Sequence, residues 1–382
     1  MSTAGWWREV EDLDVTQQSI AALPRDGKYL VTGKPGSGKT NLLVLRAAYL
    51  IRAKHPNIKV LTWTRLINEF IASGSASHGL ATGDELQTFR SWATFALSEV
   101  GMEIVPTGTF AQHVAQFTAA LLAAKDELSI YDGMLLDEVQ DYSPELINLL
   151  SGLSNRLFYV GDENQRIYDA TGGMAAARAA TQQEFVLPYH YRNGLRICRV
   201  AEDIHGETDY AATSRYDEER LPSRVHLREY DDLEAQVQAV AAELLDQLRS
   251  YPNELLGVMV PLNVDLKDVI NLLRENDEVE PYCQFQTSAE FYSPLDEDKP
   301  IVVSTINAAK GVEYRAAHIL GLDGIRRFPA AKRHNLAYTA VTRAKTTLHG
   351  YYSGNLLPWL QSAFLKGQEP ADEPTLDDLF CP

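Results

Sequence analysis

Short apolar runs alternate along this chain with longer stretches in which apolar positions recur every three or four residues. The run at 28–32 (KYLVT) predicts a buried strand, and those at 58–63, 131–136, 156–160 and 184–187 predict strands. A second series at 224–229, 256–260, 301–305, 317–321 and 347–352 predicts the same. Between them, Asn41 to Arg52, Phe110 to Leu128, Asp232 to Arg249 and Asp265 to Glu275 carry the helical period. Strands that alternate with helices imply parallel sheets with helices on both faces. The fold class is therefore α/β. The pattern predicts a first domain over 1–190 and a second over 191–365. The segment 366–382 is proline-rich and acidic and predicts a disordered tail. No internal repeat appears, so the two halves are related by pattern rather than by residues.

The turn after the first run holds Gly33-Lys34-Pro35-Gly36-Ser37-Gly38-Lys39-Thr40, which fits the phosphate-binding pattern G-x-x-x-x-G-K-[ST]. A strand, a glycine-rich turn and a helix start bring backbone N–H groups and a helix N-terminus to one point, which attracts phosphate. Glycine supplies positive φ and close approach. Lys39 can then reach the β- and γ-phosphates, and Thr40 can ligate Mg²⁺. The pattern implies a nucleoside triphosphate, with ATP and Mg²⁺ as the expected pair.

Leu135-Leu136-Asp137-Glu138 ends the third run in two acids, the Walker B arrangement. Asp137 is expected to hold the metal ion. Glu138 is expected to orient and deprotonate the attacking water. Open α/β sheets place their sites at such strand ends. Ser143-Pro144-Glu145 then signals a helix start. The next apolar run ends in Gly161-Asp162, with Gln165 just beyond.

Asp137-Glu138-Val139-Gln140-Asp141 and Val160-Gly161-Asp162-Glu163-Asn164-Gln165-Arg166-Ile167-Tyr168 resemble motifs II and III of superfamily 1 helicases of the UvrD/Rep/PcrA type. Other segments resemble the remaining motifs in the family's order. Leu13 to Gln17 is similar to the Q motif, Leu61 to Arg65 to motif Ia, and Thr88 to Trp92 to the strand-contacting motif after it. Tyr189 to Arg192 is similar to motif IV, Ser304 to Tyr314 to motif V, and Tyr338 to Lys345 to motif VI. The resemblance runs from about residue 13 to about 350. It implies two RecA-like domains, ATP hydrolysed between them, and movement along single-stranded DNA, 3′ to 5′.

Site roles follow from that resemblance. Arg192 and Arg343 match two arginines that reach the γ-phosphate; a planar, permanently charged fork suits that task. Gln165 senses the γ-phosphate, Tyr191 stacks on adenine and Gln17 hydrogen-bonds its edge, with Gln18 the alternative. Glu313 lies near the ribose, and Gly311 allows close backbone approach. Pro35, Gly36, Ser37 and Gly38 complete the loop. For nucleic acid the candidates are Trp63, Thr64, Arg90, Tyr168 and Thr305, of which Trp63 also suits core packing at a strand end. The chain departs from the family in three places. Ala170 and Thr171 replace an aromatic–arginine pair, Asn307 replaces a histidine, and Asn41 replaces an arginine. The family's two accessory subdomains have little room at 95–130 and 193–300, so unwinding by the chain alone is expected to be poor.

Charge adds a second reading. The 382 residues carry 35 Lys and Arg against 52 Asp and Glu, a formal net charge of −17. Nucleic-acid affinity rests largely on neutralised phosphates. An acidic chain therefore also fits a partner-dependent ATPase switch or accessory subunit, serving a nuclease in repair or phage defence. An RNA helicase is a further alternative. A metabolic kinase needs no second-domain arginines and is set aside. Cys198, Cys283 and Cys381 form no metal pattern, and no apolar run is long enough to span a membrane. The N-terminus lacks a signal-peptide core, so a cytoplasmic location is expected.

Overall fold

The computed structural model describes residues 7–75, 84–167, 171–206, 209–286, 295–296 and 298–368. Tyr168 and Ala170 lie outside the described residues, as do residues 369–382 of the expected tail; Lys366, Gly367 and Gln368, expected to be disordered with it, instead end a helix. The chain forms two compact units. One comprises Met1–Tyr191 with Ser293–Glu297 and Ala308–Val312, and the other comprises Arg192–Tyr292, Asp298–Asn307 and Glu313–Pro382.

The first unit contains β1 (Lys28–Gly33), β2 (Ile58–Thr62), β3 (Leu86–Thr88), β4 (Gly133–Leu136), β5 (Leu157–Gly161) and β6 (Gln183–Leu187). They form a six-stranded sheet in the order β3-β2-β4-β5-β1-β6, and every paired neighbour is parallel. Its helices are α1 (Val15–Ala21), α2 (Lys39–Arg52), α3 (Arg65–Ser75), α4 (Phe89–Glu99), α5 (Phe110–Ala123), α6 (Pro144–Gly152) and α7 (Gly173–Ala180).

Side chains alternate between the two faces of the sheet. Leu30, Leu61, Leu136 and Tyr159 join one core, whereas Tyr29, Val31, Val60, Leu135 and Val160 join the other. A period of two with apolar residues at every position is what a sheet covered on both sides requires. Each fully buried leucine contributes roughly 1.5–3 kcal/mol through burial. α6 begins where the sequence signals it. Ser143 caps it by accepting from the Leu146 N–H, Pro144 occupies the first turn, and Glu145 meets the positive end of the helix dipole.

β1 lies beside β5, and β5 beside β4. The carboxyl ends of these three strands carry the glycine loop, Asp137-Glu138 and Asp162 to Gln165. Parallel pairing thus brings segments more than a hundred residues apart to one edge of the sheet.

The second unit contains β7 (Arg224–Glu229), β8 (Leu256–Val260), β9 (Cys283–Gln286), β10 (Ile301–Thr305), β11 (Tyr314–Ile319) and β12 (Ala344–Tyr352). They form a second parallel sheet in the order β7-β12-β11-β8-β10-β9. Its helices are α8 (Leu195–His205), α9 (Leu233–Ser250), α10 (Asn263–Arg274), α11 (Ala330–Val341) and α12 (Pro358–Gln368). Its core gathers Val240, Leu244, Val258, Val269, Leu273, Val303 and Tyr351. Among the described residues no helix is long and apolar enough to cross a membrane.

Candidate functional site

The loop after β1 is built for an anion. Gly36 and Gly38 hold φ of 77° and 88°, the left-handed region that favours glycine. Gly38 caps α2 without a side chain, so the first N–H groups of the helix meet no side-chain acceptor. Ser37 Oγ is buried with no hydrogen-bond partner among the described atoms. Such a nest of N–H groups at a positive helix end attracts phosphate. Lys39 Nζ donates to the carbonyls of Gly33 (2.6 Å) and Lys34 (3.0 Å).

The loop is braced from the α1 side. Asp14 and Gln17 form a reciprocal capping box at the start of α1. Gln17 Nε2 also donates to the Ser37 carbonyl at 2.8 Å. Gln18 instead donates to the Leu13 carbonyl, so of the two candidate glutamines Gln17 is the one at the loop. Tyr191 closes a ring of contacts. Its N–H donates to the Gly36 carbonyl (3.0 Å) and its hydroxyl to Asp14 Oδ2 (2.5 Å).

Thr40 Oγ1 donates to Asp137 Oδ2 at 3.1 Å, which joins the end of the glycine loop to the end of β4. Burial pushes the Asp137 carboxyl up to about 7, and the neighbouring Glu138 charge adds to that. Two buried carboxyls beside a hydroxyl form a hard oxygen set that fits Mg²⁺, which commonly takes one carboxylate, one hydroxyl and phosphate oxygens. Among the described residues no cluster of three or more His, Cys, Asp or Glu could hold a metal by itself.

Glu138 sits at φ 54°, a strained position for a residue with a side chain. Its carboxylate accepts from Gln140 Nε2, and Gln140 Oε1 accepts from the Asp162 N–H at 3.0 Å. Gln140 therefore ties the acid pair to the end of β5. Gln165 Nε2 donates to Asp162 Oδ2 at 2.9 Å.

Sequence reasoning missed Lys310. Its Nζ lies 2.6 Å from Asp141 Oδ2, 2.6 Å from the Gln165 carbonyl and 3.7 Å from Glu138 Oε2, all within the first unit. Burial and Glu138 push the Asp141 carboxyl up to about 7 against the downward pull of Lys310. A 2.6 Å contact to an ammonium favours the ionised acid. Gly311 follows at φ 88°, and a Cβ there would meet Ile67 at 2.2 Å. A larger residue there would be strained and would force Ile67 or the turn after Lys310 to shift.

Arg192, Glu313 and Arg343 gather in the second unit. Arg192 pairs with Glu313 and donates to the Thr342 carbonyl at 3.3 Å. Burial acts to raise Glu313, but Arg192 and Lys345 outweigh it and hold the carboxyl below its usual range. Arg343 Nε donates to the Thr339 carbonyl at 3.0 Å. Asn193 was also missed. It is fully buried and donates to the carbonyls of Thr342 (3.1 Å) and Ala344 (2.5 Å), while its oxygen accepts from the Tyr210 hydroxyl (2.6 Å). It locks the Arg192 loop to the Thr342–Ala344 turn.

The nucleic-acid candidates are placed less favourably. Trp63 is only 7% exposed and packs among Phe89, Phe110 and Tyr142, with ring centroids 5.8, 5.9 and 4.6 Å away. Its indole is covered as it stands. Thr64 Oγ1 accepts from the Ile67 N–H at 3.3 Å and so caps α3. Arg90 is exposed in the first turn of α4, and Thr305 is half-buried at the end of β10.

Comparison with known proteins gives two family matches. Residues 16–171 match the AAA domain family, and residues 300–349 match the UvrD-like helicase C-terminal domain family. Together they cover more than half of the chain. A probable DNA helicase of Mycoplasma pneumoniae (strain ATCC 29342 / M129) is 28% identical over 259 residues, which is 62% of this chain and 46% of that protein. The chain thus spans about half the length of that relative. Among solved structures, the C-terminal domain of a possible DNA helicase from Lactobacillus plantarum WCFS1 aligns at 18% identity and a TM-score of 0.31, covering 44% of this chain and 91% of that one.

Proposed function

We propose, from the premise that the chain belongs to the superfamily 1 helicases of the UvrD type, that it hydrolyses ATP to move along single-stranded nucleic acid, 3′ to 5′. One observation carries the reading. Three parallel strand ends bring the glycine loop, the Asp137–Glu138 pair and the Asp162–Gln165 pair to one edge, with Thr40 Oγ1 3.1 Å from Asp137 Oδ2.

In this reading the loop N–H groups and Lys39 hold the phosphates. Thr40 and Asp137 would hold Mg²⁺, which neutralises charge developing on the phosphate oxygens. Glu138 takes a proton from the attacking water, with Gln140 fixing its carboxylate. Gln165 hydrogen-bonds near the terminal phosphate. Arg192 and Arg343 supply positive charge to it. Thr64, Arg90 and Thr305 contact the strand.

Steady-state ATP turnover with and without oligo-dT tests the proposal. Stimulation by the strand is expected. Lys39→Ala, Glu138→Gln and Arg343→Ala should each lower turnover by far more than tenfold, a barrier change of about 1.4 kcal/mol. Turnover within that margin would sink the role given to that residue.

The partner-dependent switch remains the second reading, favoured by the net charge of −17 and the covered indole of Trp63. Turnover indifferent to oligo-dT would favour it.

A further inference from the structure

Although the chain carries 52 acidic residues, no Asp or Glu occurs from Gly324 to Gln368. The same stretch holds Arg326, Arg327, Lys332, Arg333, His334, Arg343, Lys345 and Lys366. Three of these side chains serve the fold or the site above. Arg343 binds the Thr339 carbonyl, Lys345 faces Glu313, and Lys366 pairs with Asp203. The rest gather where the chain passes from β11 into α11.

Arg326 and Arg327 end the 3-10 helix Leu322–Arg327 and are exposed. Neither enters an ion pair or side-chain hydrogen bond among the described residues. Of the acids around them, Asp323 accepts from the Ser353 N–H, and Asp265 feels the charge of Arg327. Arg333 holds the turn. Its guanidinium donates to the carbonyls of Phe328 (2.8 Å) and Arg326 (2.6 Å), which fixes the backbone that presents the two arginines.

Lys332 and Arg333 lie in the first turn of α11, with His334 just after it, and the cap Pro329 offers no side-chain acceptor. Cations there add to the positive end of the helix dipole instead of offsetting it. The His334 ring stacks on Trp359 with centroids 4.1 Å apart. Because the sheet is parallel, β11 and β12 deliver this rim to the same end as β10, which delivers Thr305.

A concentration of positive charge on an acidic protein is repulsive with itself and is relieved by a polyanion. Arginine forks match phosphate oxygens, and cations beside stacked rings are how strands are held without sequence preference. We propose that Arg326, Arg327 and Lys332, positioned by Arg333 and flanked by the His334–Trp359 stack, form a phosphodiester-binding rim for a single nucleic-acid strand. The rim deepens the nucleic-acid reading above and rests on it.

The test is the salt dependence of binding to labelled oligo-dT by the full chain and by Arg326→Ala/Arg327→Ala. Both side chains are exposed, so the thermal midpoint should stay at the wild-type value. Each lost phosphate contact lowers the slope of log K against log salt by about 0.7 for single strands, so a decrease of roughly 1.4 is expected. Affinity at low salt should drop by about tenfold or more. If the wild type binds and the variant matches it in affinity and slope, the rim is overturned while the parent reading stands. If the wild type shows no salt-sensitive binding at low salt, the parent reading falls and the rim with it. Poly-glutamate displacing oligo-dT as well as unlabelled strand does would also overturn the assignment to nucleic acid.

Discussion

Lys310 decides how Asp137, Glu138 and Asp141 share a buried site. All three carboxyls are buried, and two of them are pushed up to about 7, chiefly by burial. Lys310 is buried beside them and contacts both Asp141 and the Gln165 carbonyl at 2.6 Å. It therefore sets both a charge balance and the position of the backbone that carries Gln165. Lys310→Met should destabilise the first unit by about 3–5 kcal/mol, since one partner of a buried pair is removed. Lys310→Met/Asp141→Asn should recover part of that, because the orphaned charge is gone. A coupling of about 0.5–3 kcal/mol between the two sites is expected in chemical denaturation. Turnover should not recover in the double variant, because the support to Gln165 and Glu138 is still missing. Its return to within about twofold of wild type, under 0.5 kcal/mol of barrier, would reduce Lys310 to a structural residue. Nothing local in the sequence marks this lysine. Its partner Asp141 lies 169 residues away, and only the fold brings them together. The glycine loop, by contrast, is legible because all of its chemistry lies within eight consecutive residues.

Among the elements, three strands of the second sheet share a histidine ladder. His318 on β11 pairs in register with His349 on β12, which pairs with His226 on β7. Neighbouring rings stack with centroids 4.6 and 4.7 Å apart. His318 is satisfied at both nitrogens, by the Tyr351 hydroxyl (3.0 Å) and Gln247 Oε1 (2.8 Å). Burial, then Arg228 and His226, hold His318 down to about 3; burial and its neighbouring rings hold His349 lower still. Around His226 the charged groups are Arg228, Glu243, Arg224 and Arg196. A histidine depressed in the folded state binds its proton first in the unfolded chain. Stability should therefore be unaffected above the unfolded value near 6.5 and should decline as pH falls from there toward 3. The slope approaches about 1.36 kcal/mol per pH unit for each such histidine. The raised acids Asp137 and Asp141 act with the opposite sign over part of that range, but identically in a variant. His349→Phe keeps the stacked ring and removes one titrating group. Denaturation at pH 7, 6 and 5 should show a shallower decline for the variant. Equal slopes would mean that His349 is accessible to protons in the folded state.

The elements also show where sequence reading reaches its limit. The central strands were legible because both of their faces are covered, which leaves unbroken hydrophobic stretches; β6 and β7 are largely exposed and carry only two or three apolar residues each. β9 was not legible, because Cys283-Gln284-Phe285-Gln286 buries two glutamines and shows no apolar run. β3 is three residues long and too short to carry a period. The strand expected at 317–321 spans Tyr314–Ile319, since Arg315 is bound by Glu254 and Thr346 and so tolerates a strand interior. The helix expected over Phe110 to Leu128 stops at Ala123, just before the polar run Lys125-Asp126-Glu127.

At the scale of the whole molecule, the two units have separate sheets and separate cores, so unfolding need not be a single transition. The glycine loop, Asp137, Glu138 and Gln165 all belong to the first unit. A nucleotide that binds only the folded state stabilises it by about 2.7 kcal/mol at a hundredfold excess over its Kd. A non-hydrolysable ATP analogue with Mg²⁺ should therefore slow amide exchange along β1, α2 and β4, the elements that end at the loop and the acid pair. Lys39→Ala should lose that protection, because the cation that meets the phosphates is gone while the backbone nest stays. Glu138→Gln should keep it, because the water-activating carboxylate contributes to the reaction rather than to binding. If Arg192 and Arg343 also meet the phosphates, peptides around Asn193 and the start of β12 should slow as well, and Arg343→Ala should abolish that second response alone. An analogue that leaves exchange unchanged in every one of these elements would remove the nucleotide reading, and with it both the motor and the switch. Protection confined to the first unit would leave a nucleotide binder whose second unit takes no part, an outcome that sinks the roles of Arg192 and Arg343 and spares those of Lys39 and Glu138.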